Sequence, residues 1–166
     1  MAFEWPLPPA GAPARAVVVD TNVALDLLVF ADARVAPLRQ ALQDGRLHWI
    51  ATAPMRDELE HVLAYPHLAA RVARCGLQPA QVLAAFDAQA EQQAVAPRAA
   101  CVCKDADDQK FIDLAAAHAA VLLSKDKAVL ALRKRLLAQH GAQVASALAP
   151  PARADGAAAA LLADPA

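Results

Sequence analysis

Short apolar runs alternate with longer segments of helical periodicity along most of the chain. The runs at 16–20, 47–51 and 121–123 are largely apolar and rich in valine, leucine and isoleucine. Such short runs favour strands buried on both faces of a parallel sheet. The segments between them carry apolar residues three and four positions apart, which predicts amphipathic helices. Strands separated by helices of this length indicate βαβ units and an α/β fold with a mainly parallel central sheet.

The helix boundaries follow from proline and glycine. Pro54 suits the first turn of a helix and Pro66 a helix end, while Gly45 and Gly141 are C-terminal stops. These signals predict helices over 22–30, 36–44, 54–64, 67–75, 79–93, 105–118 and 126–139. A last strand is predicted at 142–147, and the segment 95–102 fits either a short strand or a loop.

The two ends of the chain differ in composition from its middle. Residues 1–14 are rich in proline, which predicts a flexible extended arm in which Trp5 is a tethered surface residue. Residues 149–166 are mostly alanine and proline, which predicts a disordered tail with at most a marginal helix. One domain over 15–148 is therefore expected between them.

Composition narrows the classes of function. The formal net charge is −1, so nucleic acid would have to be held by local basic residues or by metal rather than by a global positive field. Three cysteines without a second zinc-binding pair exclude a disulfide framework and a structural zinc site. No apolar run reaches the length of about 18 residues that spans a membrane, and no basic leader begins the chain. A cytoplasmic protein with no membrane partner is expected.

The stretch around Asp20 is the first candidate for chemistry. This carboxylate ends the apolar run 16–20, and it is followed by Thr21 and Asn22, two residue types that begin helices. It is therefore predicted at the carboxyl end of a central strand, where open α/β sheets bind their ligands.

Three further acids are predicted to point toward the same sheet edge. Glu58 lies about 85° from the centre of its helix's apolar stripe and Glu60 about 115°, which makes Glu58 the better inward candidate. Asp108 and Asp126 each precede two apolar residues by three and four positions and so begin the buried face of a helix. Asp105 is expected to precede its helix.

An alternative explanation for any one of these acids is the preference of carboxylates for the first turn of a helix. That explanation does not cover Asp20, which ends a strand, or the inward position shared by all four. Carboxylates that face one another repel and raise one another's pKa. A divalent cation relieves the repulsion, and hard oxygen ligands suit Mg²⁺ or Mn²⁺.

Four segments in order resemble the motifs of PIN-domain ribonucleases, in particular the VapC-like toxins of toxin–antitoxin pairs. They are VVDTNV at 18–23, DELEHVL at 57–63, CKDADDQKF at 103–111 and LSKD at 123–126. Serine stands in the last segment where threonine is more usual. The resemblance covers residues 16–147 and implies a PIN-like three-layer α/β/α fold.

The resemblance also implies an activity, namely metal-dependent endoribonuclease cleavage of RNA phosphodiesters. It makes Asp20, Asp108 and Asp126 ligands of Mg²⁺ or Mn²⁺, with Glu58 a ligand or a residue that orients water. One ion and two ions are both compatible with four acids. It further implies a homodimer and a small antitoxin that inserts into the acidic groove.

Residues near the acids in the sequence are candidates for hydrogen bonds to the metal ligands and for contacts to RNA. Candidate hydrogen-bonding residues behind the metal ligands are Thr21, Asn22 and Ser124, although helix capping equally explains the first two. Candidate contacts to RNA phosphates are Lys104, Lys110 and Lys125.

Two alternatives stay open at this point. A non-catalytic PIN-like scaffold that binds RNA or protein would explain the fold, but the presence of all four acids argues against it. A haloacid-dehalogenase-type phosphohydrolase also places an aspartate after its first strand. That chemistry needs a second aspartate two residues later, where this chain has Asn22.

Overall fold

The computed structural model describes residues 4–6 and 11–149 of the chain. The strands formed by these residues are Glu4–Trp5 (β1), Arg15–Val19 (β2), Leu47–Ala51 (β3), Glu91–Gln92 (β4), Val121–Leu123 (β5), Gln143–Ala145 (β6) and Ala147–Leu148 (β7). The α-helices are Thr21–Leu25 (α1), Ala36–Gln43 (α2), Ala53–Leu63 (α3), Pro66–Arg74 (α4), Pro79–Gln89 (α5), Gln109–His118 (α6), Lys127–Leu130 (α7) and Arg133–His140 (α8). Helix α1 continues as a π-helical turn over Asp26–Phe30, and 3₁₀ turns occupy Ala33–Val35 and Ala106–Asp108.

The central sheet has the strand order β4-β3-β2-β5-β6, and every neighbouring pair in it is parallel. Connections between parallel strands are right-handed. The connections that lead from β2 to β4 and those that lead from β4 to β6 cross the sheet in opposite directions, so their helices lie on opposite faces of the sheet. This arrangement confirms the predicted α/β class and the three-layer α/β/α architecture.

The strand order reverses between β2 and β5. These two strands are neighbours, with Val19 in register with Leu123, yet the chain leaves them in opposite directions across the sheet. The backbone N–H of Asp20 donates to the carbonyl of Leu123 at 2.9 Å, so the residues that follow both strands meet. Open α/β sheets bind ligands in the crevice at such a switch point.

The central strands are buried because helices cover both of their faces. Val17, Val18 and Leu122 are fully inaccessible, which explains why these segments read as unbroken apolar runs. Trp49 on β3 packs edge-on against Phe86 on α5, with ring centroids 5.2 Å apart. This core makes the sheet a rigid support for the loops at its carboxyl edge.

Two helix predictions were wrong in extent. The helix predicted over 79–93 ends at Gln89, and Glu91–Gln92 forms β4 beside β3. A strand of two exposed polar residues carries no apolar signal. The helix predicted over 126–139 is divided into α7 and α8, with a turn at 131–132. No glycine or proline marks this turn in the sequence.

The first and last strands of the described residues form a second, smaller sheet. Strand β1 pairs in parallel with β7, and Trp5 is half-buried against the core, not the surface residue expected, with the Arg15 guanidinium 5.4 Å from its ring centroid. The predicted division into arm, domain and tail stays a prediction, since residues 1–3, 7–10 and 150–166 lie outside the described residues. Among the helices described, none has the length and apolarity needed to cross a membrane.

Candidate active site

Asp20 is a buried residue that follows β2 directly and occupies the N-cap position of α1 without a capping hydrogen bond from its side chain. Its Oδ2 accepts a hydrogen bond from the Ser124 hydroxyl at 2.6 Å. Burial raises the pKa of Asp20 above its ordinary value, and the charges of Glu58 and Asp126 raise it further, while the Ser124 hydrogen bond acts in the opposite direction. The site therefore holds a carboxylate whose charge is only partly compensated by its neighbours.

Ser124 links two of the predicted acids. It is fully buried directly after β5, where its hydroxyl donates to Asp20 and accepts from the backbone N–H of Asp126 at 3.1 Å. Asp126 in turn caps α7 by accepting from the backbone N–H of Ala128 at 2.8 Å. One hydroxyl thus fixes the loop after β5 against the end of β2.

Asp108 carries the strongest electrostatic perturbation among the four predicted acids. It lies between the 3₁₀ turn and α6, and only 9% of it is exposed. Burial and the charges of Asp20, Asp126 and Asp105 raise the pKa of Asp108 to about 7. Its Oδ2 is buried without a hydrogen-bond donor. Burying a carboxylate oxygen without a hydrogen-bond donor costs free energy, and a bound ligand would reduce that cost.

Asp105 joins this group, although no role was predicted for it. The carboxylate oxygens of Asp105, Asp108 and Asp126 lie within 4.8 Å of one another. Asp105 is exposed and caps the 3₁₀ turn through a 3.0 Å hydrogen bond from the backbone N–H of Asp107. The sequence signal for Asp105 is its place in the DADD run, but the run alone does not show which of its acids turn inward.

Glu58 makes contacts that bring α3 to the site. Its Oε2 accepts from the Thr21 hydroxyl, and its Oε1 accepts from the Lys110 ammonium at 2.6 Å. Both Glu58 and Lys110 have side chains 24% exposed, so this ion pair is partly shielded from water. Glu60 is exposed and has no such contact. The two contacts orient Glu58 toward the end of β2.

The other predicted residues are less closely tied to the acids. Lys125 pairs with Asp26 on the π-helical turn, and Lys104 is exposed. Asn22 is also exposed, whereas Thr21 is buried. The structure therefore brings Thr21, Ser124 and Lys110 to the acids by direct hydrogen bonds, and it leaves Asn22 and Lys104 at the surface.

Gln109 is a buried residue that the sequence did not single out. Its side chain accepts from the backbone N–H of Cys103 at 2.7 Å and donates to the carbonyl of Cys101 at 2.9 Å and to Asp113 at 2.8 Å. These bonds hold the segment before Asp105 against α6. Gln109 thereby fixes the position of the loop that carries two acids of the cluster.

The donor set fits a hard divalent cation. The clustered groups are carboxylate oxygens, which Mg²⁺ and Mn²⁺ prefer over nitrogen or sulfur. The buried Oδ2 of Asp108 has no donor, so a cation there would satisfy an atom that the described residues leave unsatisfied. The arrangement is suited to binding a metal ion beside a phosphate.

Comparisons with known proteins identify the family of the chain and a structure with a similar fold. A family model described as PIN domain matches residues 16–128, a range that contains all four predicted acids. The chain is also similar in structure to a chain in the crystal structure of VapBC2 from Rickettsia felis bound to a DNA fragment from their promoter. That similarity has 11% sequence identity and a TM-score of 0.53, and it covers 78% of this chain and 96% of that chain. No curated protein matches the chain.

Proposed function

This chain belongs to the PIN domain family, and on that premise we propose that it is a metal-dependent endoribonuclease that hydrolyses RNA phosphodiester bonds. The observation that carries the proposal is the meeting of Asp20, Asp108 and Asp126 at the switch point of the sheet, with a buried oxygen of Asp108 lacking a donor. Open α/β sheets bind ligands at such a switch point, so the acids lie where a substrate would be expected to bind.

Asp20, Asp108 and Asp126 are the proposed ligands of Mg²⁺ or Mn²⁺. When bound, such an ion supplies an activated water and neutralises charge on the phosphodiester. Ser124 keeps Asp20 and Asp126 in place through its two hydrogen bonds. Their positions are thus set before substrate arrives, which lowers the cost of reaching the reactive geometry.

Basic residues at the rim are proposed to hold RNA phosphates. Lys110 is tied to Glu58 and to the backbone carbonyl of Asp107, which places an ammonium group beside the acids. Lys104 and Lys125 are exposed near the same edge and are proposed to contact neighbouring phosphates. Because the formal net charge of the chain is −1, these local cations rather than a general positive surface would retain the substrate.

Replacing Ser124 with alanine is expected to lower RNA cleavage by about 10- to 100-fold, in the range seen when hydrogen bonds behind metal ligands are removed. The reason is that Asp20 loses its 2.6 Å donor and the Asp126 backbone loses its acceptor. Cleavage rates at several Mn²⁺ concentrations would measure the effect. Rescue by Ser124→Thr, which keeps the hydroxyl, is expected, and an unchanged rate in the alanine variant would contradict this role.

We further propose that the protein is a cytoplasmic toxin of a toxin–antitoxin pair, that it forms a homodimer, and that a small antitoxin protein covers the acidic groove. The similar fold found in the VapBC2 structure supports this proposal. Growth arrest on expression of the chain, relieved by a co-expressed neighbouring small protein, would support it. Light scattering on the purified chain would measure its oligomeric state.

The nuclease proposal is tested with the purified full chain and a generic single-stranded RNA. Cleavage is expected with Mg²⁺ or Mn²⁺, loss of cleavage with EDTA, and recovery when the metal is restored. The Asp20→Asn variant, purified in the same way, controls for contaminating nucleases. RNA that is bound but not cut with either metal would instead favour the scaffold alternative.

A further inference from the structure

Asp105 lies beside the proposed metal ligands, although no role was predicted for it from the sequence. Its carboxylate forms a group with Asp108 and Asp126 in which the three ligand oxygens lie within 4.8 Å of one another. The three residues differ in burial, since Asp105 is exposed, Asp108 is buried and Asp126 is intermediate. The group therefore opens from the interior toward solvent through Asp105.

A second observation points to a ligand at this place. Asp108 is more than nine-tenths buried, and its Oδ2 has no hydrogen-bond donor. Lys110 and Lys125, which lie close to the group in sequence, form ion pairs with acids outside it, Lys110 with Glu58 and Lys125 with Asp26. The three carboxylates of the group thus lie close together, and one of them has a buried oxygen without a hydrogen-bond donor.

We propose that Asp105 is a direct ligand of a divalent cation that it holds together with Asp108 and Asp126. This inference rests on the proposed function and deepens it, because it adds a residue to the metal centre. Opposite ligands of Mg²⁺ are about 4.2 Å apart, so oxygens within 4.8 Å reach one ion after a small movement of exposed Asp105. Asp20, which accepts a hydrogen bond from Ser124 at the end of β2, is outside this group of three.

The capping hydrogen bond of Asp105 offers a different explanation for its position. Asp105 accepts from the backbone N–H of Asp107 at 3.0 Å through Oδ1, which leaves its second carboxylate oxygen for a cation. Asparagine caps as well as aspartate does. The Asp105→Asn variant therefore keeps the cap and removes the charge, so it separates the structural role from the proposed ligand role.

The test measures Mn²⁺ binding to the full chain by calorimetry, without RNA. Asp105→Asn is expected to weaken Mn²⁺ affinity by about tenfold or more, which corresponds to about 1.4 kcal/mol. The matched control is Asp107→Asn, which removes the same charge from the same exposed loop and leaves the backbone contacts of Asp107 intact. This control is expected to bind Mn²⁺ within about twofold of the wild type, and melting in EDTA should show both variants folded.

Equal Mn²⁺ affinity in Asp105→Asn and Asp107→Asn would overturn the inference, as would a wild-type chain that binds no Mn²⁺. An RNA assay on the same preparations keeps the two proposals apart. Wild-type cleavage together with unchanged Mn²⁺ binding by Asp105→Asn would leave the nuclease proposal standing and remove this one. Weakened Mn²⁺ binding by Asp105→Asn with no wild-type cleavage would support the ligand role and count against the nuclease.

Discussion

Replacing Asp20 with asparagine is expected to lower Mn²⁺-dependent RNA cleavage by about 1,000-fold or more, equivalent to at least about 4 kcal/mol of transition-state stabilisation. The variant keeps an oxygen that accepts from Ser124, so the local geometry is retained. What it loses is the buried charge at the switch point that would hold the cation. Single-turnover cleavage with excess enzyme would measure the chemical step directly.

A matched control for Asp20→Asn is Asp57→Asn. Asp57 is exposed on α3, the helix that carries Glu58, and its removal changes the net charge by the same amount. The control is expected to cleave within about twofold of the wild type. Cleavage by Asp20→Asn at the wild-type rate, with circular dichroism showing a folded chain, would rule out a role for Asp20 at the reacting phosphate.

The metal-free protein is expected to lose stability through Asp108 as pH rises from about 4 to about 7. The pKa of this carboxyl is 3.8 in the unfolded reference and about 7 in the folded chain, so between these values the folded state binds more protons. The free energy of unfolding then falls with pH, by at most about 1.4 kcal/mol per pH unit from this group, and levels off above pH 7. Urea unfolding in EDTA at pH 5, 6, 7 and 8 would show the trend.

Asp108→Asn isolates this contribution from the other titrating groups. The stability of the variant relative to the wild type is expected to rise by about 2 kcal/mol between pH 5 and pH 8, because the amide does not ionise. Only the change of this stability difference with pH is informative. The amide that replaces the carboxylate has no hydrogen-bond partner at the position of Oδ2, and this lowers the free energy of unfolding by the same amount at every pH. A difference that stays the same at every pH would show that Asp108 ionises normally. Saturating Mn²⁺ is expected to stabilise the wild type at pH 8 and to leave Asp108→Asn nearly unchanged.

Some of the candidate site residues have a signal in the neighbouring sequence, whereas the contacts of others join distant parts of the chain. Asp20, Asp108 and Asp126 were found from local patterns, since each follows or precedes an apolar run that fixes the direction of a strand end or a helix face. Glu58 was separated from Glu60 by a difference of about 30° in the helical count, and its contacts to Thr21 and Lys110 cross 37 and 52 residues. The proposed ligand Asp105 was not singled out in the sequence, because capping and metal binding favour the same residue type at the same position.

The amino-acid sequence predicted the α/β class, the PIN domain family, the main strands and the residues that end most helices. It could do so because buried strands, amphipathic helices and stops at proline or glycine are local signals. Four features became visible only in the folded chain, namely the pairing of β1 with β7, the exposed strand β4, the turn between α7 and α8, and the placing of Asp105 with Asp108 and Asp126. Those features depend on which strands become neighbours and how helices pack over them, which brings together residues far apart in the chain and leaves no periodic pattern in it.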